Sequence, residues 1–255
     1  MAEAALDLHP VTAQNKERAA RLGVYHTPAA TTVRCKVFGE TVFFVVDNPQ
    51  DYIQQHHLRG MFYEADELRM MERYFPTGGR FLDIGANIGN HALYLGLFRK
   101  ASYIKVLEPS ARAITLLEAN VYMNGLERVC DLSDLGIGLS DGTSDVARLN
   151  YRSAHNLGMT QLIEGDGRVA LKTADEIIGD QAFDLIKIDV EGMELKVLAG
   201  MRRYLAHNPT PIFVEVNLEH REAFKAWLDE NSYEIAMSSQ RYRENRNFMI
   251  VPAGN

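Results

Sequence analysis

From residue 80 onward, short apolar runs alternate with longer stretches whose apolar positions recur every three or four residues. Arg80–Ile84, Ser102–Leu107, Phe183–Ile188 and Pro211–Val216 read as buried strands, with further strand-like runs at Val129–Leu139, Val146–Tyr151 and Phe248–Val251. Helical patterns fill Asn90–Phe98, Pro109–Asn124, Thr173–Ile178, Met193–His207 and Glu219–Asn231. Pro109 suits a first helical turn and Gly125 a C-terminal stop. This alternation predicts an α/β fold with a mainly parallel, doubly wound sheet and an antiparallel last strand. Its ligand site lies at the carboxyl ends of the strands.

Upstream the pattern differs. Val33–Phe38 and Thr41–Val46 flank Gly39-Glu40 as a hairpin, and Thr12–Leu22 reads as a helix ending near Gly23. Tyr63–Tyr74 is helical in character until Pro76-Thr77-Gly78-Gly79 breaks it. Residues 1–62 therefore read as an N-terminal helical and hairpin extension, a candidate substrate cap, and residues 63–255 as the main domain.

The chemistry concentrates where strands pass into helices. In Asp83-Ile84-Gly85-Ala86-Asn87-Ile88-Gly89-Asn90 the glycines allow close backbone approach, and the helix start offers N–H groups to an anion. Glu108 closes the next strand, where a carboxylate accepts hydrogen bonds from both hydroxyls of a ribose. The spacing is GxxxG rather than GxGxxG, and strand-end acids repel a pyrophosphate while attracting an ammonium and a sulfonium. S-adenosylmethionine is thus favoured over a nicotinamide dinucleotide, leaving an oxidoreductase and a non-catalytic cofactor-binding module as rivals.

A second acidic strand end, Asp189-Val190-Glu191-Gly192, is expected to face the same crevice. Its carboxylates suit removing or orienting a hydroxyl proton, balancing a sulfonium, or holding a divalent metal. Glu215, inside an apolar strand, is costly to bury unpaired, and His155 in a polar loop is a further base candidate. The His56-His57 pair reads as surface. Met70-Met71 and the set Phe224, Trp227 and Leu228 read as core.

The segments DIGANIGNH (83–91), LEPS (107–110), NGL (124–126), LSDG (139–142) and KIDVEGMELKVLAG (187–200) resemble those of the FkbM methyltransferases, in order from about Tyr63 to Pro252. The resemblance implies a Rossmann-like class I methyltransferase fold and O-methylation of a sugar, glycan-precursor or natural-product hydroxyl. It implies that Asp83, Gly85, Ala86, Asn87, Gly89 and Asn90 form the methionine-side loop and that Glu108 holds the ribose. By the same resemblance Gly138 and Asp141 lie on the adenine side, and Glu64 approaches the cofactor.

Composition narrows the context. The 255 residues are 46% hydrophobic and 24% charged, with a formal charge of −7 that disfavours a phosphate-tracking surface, so nucleic acid is not an expected partner. Two cysteines without a CxxC pair support neither a zinc site nor a disulfide framework, and both read as core. The start lacks a secretory pattern and no stretch is apolar enough to span a membrane, so a cytoplasmic enzyme is expected. Methyl acceptor, metal use and oligomeric state, a homo-oligomer included, stay open.

Overall fold

The computed structural model describes Lys16 and residues 24–26, 29–153, 155–165 and 167–254. The helix expected over Thr12–Leu22 lies, apart from Lys16, outside these residues. β1 (Val24–His26), β2 (Thr31–Val37) and β3 (Glu40–Val46) form a three-stranded antiparallel sheet. The β2–β3 turn is Phe38-Gly39, both at positive φ, one residue earlier than the sequence pattern suggests. α1 (Tyr52–Leu58) starts on Asp51, whose carboxylate accepts from Ile53 N and Gln54 N. α2 (Ala65–Glu72) occupies the core of the helix expected over Tyr63–Tyr74.

The main sheet carries β4 (Arg80–Ile84), β5 (Tyr103–Leu107), β6 (Cys130–Asp131), β11 (Leu185–Ile188), β12 (Ile212–Asn217), β13 (Tyr233–Ser239) and β14 (Asn245–Pro252). Their order is β13-β14-β12-β11-β4-β5-β6. β12, β11, β4, β5 and β6 run parallel, and β14 lies antiparallel to both β12 and β13. The central strands are apolar on both faces because helices cover both: Leu82, Ile84, Ile186 and Ile188 join one buried cluster, Phe81 and Leu185 the other. The flanking helices are α3 (Asn90–Phe98), α4 (Ala111–Met123), α5 (Ala174–Ile178), α6 (Glu194–Gly200), α7 (Arg202–His207) and α8 (Arg221–Asn231). Strand order and direction match the α/β architecture expected from the sequence, and no helix among the described residues is long and apolar enough to cross a membrane.

Some boundaries differ for identifiable reasons. The run Val129–Leu139 is cut because Asp131 Oδ1 accepts from Ser133 N, turning the chain after β6. The second half, β7 (Ile137–Leu139), leaves the main sheet and pairs with β10 (Val169–Lys172). With β8 (Ser144–Tyr151) and β9 (Thr160–Glu164) it makes a separate sheet of order β7-β10-β8-β9. The helix expected over Met193–His207 is two, α6 and α7, parted at the fully buried Met201.

The hairpin is not an appendage with its own core. Phe43, Val45 and Ile53 pack with Tyr63, Ile88, Leu116, Ala119, Met123 and Leu157 in one cluster. Asn120 of α4 and Asn124, which caps its C-terminus, accept hydrogen bonds from Val45 N (2.7 Å) and Phe43 N (3.0 Å), and Asn120 Nδ2 donates to Ile88 O (2.9 Å). His57, read from the sequence as surface, is fully buried: it stacks on Phe44 and its Nε2 lies 3.1 Å from Asn90 Oδ1. Burial lowers its pKa to about 4, so it stays neutral.

Candidate functional site

β4 and β11 are neighbours in register, with Lys187 opposite Asp83. Lys187 Nζ donates to Gly85 O (2.8 Å) and lies 3.3 Å from Asp83 Oδ1 and 3.4 Å from Asp189 Oδ2. Burial opposes its charge, but Asp189, Asp83 and Glu64 hold its pKa above the usual lysine value. Gly85, at φ +75°, lets the two strand ends touch, since a Cβ there would overlap the Asp189 carbonyl oxygen. Asp83 itself is fully buried beneath the turn as the counter-ion of Lys187. It lines neither of the two cavities that flank the turn.

Beyond the turn, Asn87 N donates to Glu108 Oε2 and Ser110 N to Glu108 Oε1, both at 2.8 Å. Each carboxylate oxygen keeps lone pairs for a vicinal diol. Burial pushes the Glu108 pKa up to about 7, against the pull of those two N–H groups. A cleft of about 60 Å³ opens beside it, walled by Ile137, Leu139, Leu149, Leu162, Val190 and Met193. Apolar walls beside a carboxylate that can accept a diol suit the nucleoside part of a ligand. Gly138 lines this cleft, but the space of its missing side chain is taken by Leu162 and Leu171, 2.6 and 2.8 Å from where a Cβ would sit. Asp141 is exposed, accepts from Ser140 Oγ (3.1 Å) and reaches neither cavity.

A larger cavity of about 240 Å³ adjoins it, and Gly85, Asn87, Gly158, Asp189 and Glu191 line both. Ala86, Asn90, Glu64 and Glu215 also line it. Asn90 spends its side chain on Tyr63, accepting from Tyr63 N and donating to Tyr63 O, each at 3.0 Å. Gly89 lines neither cavity. It caps α3 at φ +87°. Oxygens of Asp189, Glu191 and Glu215 lie within 4.8 Å of one another, a spacing that suits a cation or a shared proton. Burial and then the charge of Asp189 raise the Glu191 pKa to about 8, and Glu215 rises for the same reasons with Glu191 and Glu64 adding to the repulsion. Glu191 sits at φ +48°, a left-handed conformation that costs a non-glycine residue energy.

The rest of this cavity is polar and amphipathic: Asn156, Gln161, Asn217 and Asn245 supply amides, with Arg152, Glu244 and Tyr242 beside them. Tyr242 and Glu244 come from the β13–β14 connection, held in place by Tyr63 Oη to Tyr242 Oη (2.6 Å) and by Arg241 over the Tyr63 ring at 4.6 Å. Sequence reasoning missed Tyr242, Glu244, Asn245 and Lys187. A lysine inside the apolar run Leu185–Ile188, one strand from Asp83, was the available signal for the last. His155 is exposed and its side chain lines neither cavity, so the structure does not bring it to the acids. Its backbone matters instead. Tyr52 N donates to His155 O (2.9 Å) and Leu157 N to Asp51 Oδ2 (2.8 Å), pinning the loop that roofs both cavities onto α1.

Residues 83–243 match the family described as methyltransferase FkbM domain. The chain belongs to the FkbM methyltransferase family. Within it, this FkbM chain is 27% identical over 175 residues to the hexuronic acid methyltransferase AglP of Haloferax volcanii, covering 67% of this chain and 68% of that relative. Among solved structures, the tRNA methyltransferase TrmK of B. subtilis superposes with a TM-score of 0.50 at 16% identity, over 76% of this chain and 68% of that one. TrmK of M. capricolum, solved with S-adenosyl-homocysteine, gives a TM-score of 0.50 at 11% identity, over 76% and 70% of the two chains. The two TrmK likenesses establish the Rossmann-like methyltransferase fold of this FkbM chain and nothing about its acceptor.

Proposed function

We propose that this chain is an S-adenosylmethionine-dependent O-methyltransferase acting on a hydroxyl of a sugar or glycan precursor. The observation that carries the reading is the continuity of the two cavities. A diol-accepting nucleoside cleft opens, past Gly85 and Asn87, directly onto a larger chamber lined by carboxylates and amides. When bound, S-adenosylmethionine supplies a methyl group activated by its sulfonium and departs as S-adenosylhomocysteine.

The residues fit such a ligand. Glu108 meets the ribose, the Ile137–Met193 walls enclose the base, and the carboxylates around Asp189 favour a cation over a pyrophosphate. Asp83 and Gly89 shape the methionine-side turn from beneath, and Asn90 lines the chamber beside it. In the larger chamber, side chains that both donate and accept hydrogen bonds suit a polyhydroxylated acceptor, and the hexuronic acid named for AglP is of that class. Alignment does most of the work: the acceptor oxygen takes the methyl carbon in line as the carbon–sulfur bond breaks and its electron pair returns to sulfur. The hydroxyl proton passes to a carboxylate of the Asp189, Glu191 and Glu215 group.

Titration calorimetry with S-adenosylhomocysteine against NAD tests the donor. Transfer of labelled methyl to a panel containing methyl glucuronide, methyl glucoside and extracted glycans tests the acceptor. Asp189→Asn, Glu191→Gln and Glu215→Gln are expected to retain S-adenosylhomocysteine affinity within a few-fold and to lose turnover. Binding of NAD in preference to S-adenosylhomocysteine would sink the proposal.

A further inference from the structure

Asp189, Glu191 and Glu215 come from two neighbouring strand ends and offer one oxygen each within a 4.8 Å span. None of the three accepts a hydrogen bond from another side chain or from the backbone among the described residues, and only Asp189 has a counter-ion, Lys187 at 3.4 Å. Three gathered carboxylates alone are a common surface feature. Here a fourth group, from a different element, points to a ligand. Glu64 stands just ahead of α2, its side chain only 9% exposed, and lines the same chamber. Its carboxylate accepts no hydrogen bond among the described residues. The nearest side-chain nitrogen, His91 Nε2, lies 3.5 Å away and makes no hydrogen bond. A nearly buried carboxylate without a donor costs several kcal/mol unless something else satisfies it.

Lys187 does not supply that satisfaction, because its ammonium is already shared among Gly85 O, Asp83 and Asp189. Arg152, the other cation lining the chamber, acts on Glu191 through space but makes no ion pair within 4.0 Å among the described residues. A hard cation would satisfy this wall, since the ligand atoms gathered in it are all carboxylate oxygens. That set matches magnesium or manganese, which take oxygen ligands and keep coordination positions for water or substrate, and it does not match zinc, which prefers nitrogen and sulfur.

We propose that Asp189, Glu191 and Glu215, backed by Glu64, form a site for one divalent magnesium-type cation whose open positions take the acceptor's hydroxyl oxygens. The inference rests on the function proposed above and adds to it. The cation orients a diol or hydroxy-acid face toward the donor and lowers the pKa of the bound hydroxyl. With Asp189, Glu191 and Glu215 engaged by the cation, the hydroxyl proton leaves to water instead of to them, while the cation keeps its charge throughout. The preferred acceptor is accordingly one with two adjacent oxygens able to chelate, rather than an isolated alcohol.

Manganese serves as the probe. Chelator-treated full-length protein is titrated with Mn²⁺ and the free ion is read by electron paramagnetic resonance, with no donor or acceptor present. One ion bound per chain is expected, competed by Mg²⁺. At least tenfold weaker retention is expected in Glu215→Gln and in Asp189→Asn, and unchanged retention in Asp141→Asn, whose side chain reaches neither cavity. Circular dichroism and S-adenosylhomocysteine affinity check that the variants fold. Absence of a bound ion in the wild type, or equal retention in Glu215→Gln, overturns the site. Mn²⁺ bound by a protein that ignores S-adenosylhomocysteine would overturn the methyltransferase reading and leave the cation site standing.

Discussion

Glu108 offers the sharpest test, because one carboxylate is placed to bind a ligand and to cost stability at the same time. In the folded chain its pKa rises from the ordinary 4.5 to about 7 through burial. A carboxyl whose folded pKa lies above its unfolded one stabilises the fold at low pH, and that contribution is lost as pH climbs from about 4.5 through about 7. The gap corresponds to about 3 kcal/mol. Urea unfolding of the ligand-free wild type should therefore show stability falling across this window, and Glu108→Gln should lack that component of the slope. Ligand binding runs the other way, since ribose hydroxyls donate to the ionised form. The probe is methylthioadenosine, which has the nucleoside but no amino-acid end, so Glu64 and Glu215, which line only the larger chamber, stay out of contact with it. With a pKa of about 7, the apparent affinity at pH 6 should be about tenfold weaker than at pH 8. Glu108→Gln should bind weakly and with little pH dependence, having lost a charged acceptor for two hydrogen bonds of about 1.5–3 kcal/mol each. A wild-type calorimetric profile flat from pH 6 to 8, or a slope surviving in the glutamine variant, would refute the assignment.

Other substitutions probe the frame around it. Lys187→Met strands Asp83 as a buried charge and should cost about 3–5 kcal/mol in chemical denaturation; a loss below about 1 kcal/mol would mean the pair is not ionised. Gly85→Ala must separate the β4 and β11 ends, so S-adenosylhomocysteine affinity should fall by well over tenfold, and near-normal affinity would contradict the close approach. Asp51→Ala removes the cap of α1 and the bond to Leu157 N together. It should destabilise by about 1–2 kcal/mol and speed proteolysis of the 152–159 loop, which an unchanged digestion pattern would disprove.

Much of this arrangement was legible before any coordinates. Local signals sufficed for the βαβ rhythm, for the turn after β4 and for Glu108, since strand-end chemistry is written in consecutive residues. The sequence also placed Asp189, Glu191, Glu215 and Glu64 in the running, and all four line one chamber. What stayed hidden depends on partners far along the chain. His57 is a core residue only because Phe44 and Asn90 close over it. Tyr242 reaches the chamber because Tyr63, 179 positions away, holds its hydroxyl. β9 and β10 of the second sheet escaped because they are short and half-buried, with neither continuous apolarity nor clean alternation, and Asp83 looked like a ligand-facing acid until the register with Lys187 turned it inward.

The asparagine pair at the end of α4 decides where this protein can be cut. By meeting Phe43 and Val45 along one side of β3, Asn120 and Asn124 take those two amide groups of the hairpin's border out of reach of a neighbouring molecule. A fragment begun at residue 63 would discard those strands, lay Ile88, Leu116 and Met123 bare and strand both asparagines. Such a piece should come out of expression as aggregate, and useful truncations have to start upstream of the hairpin.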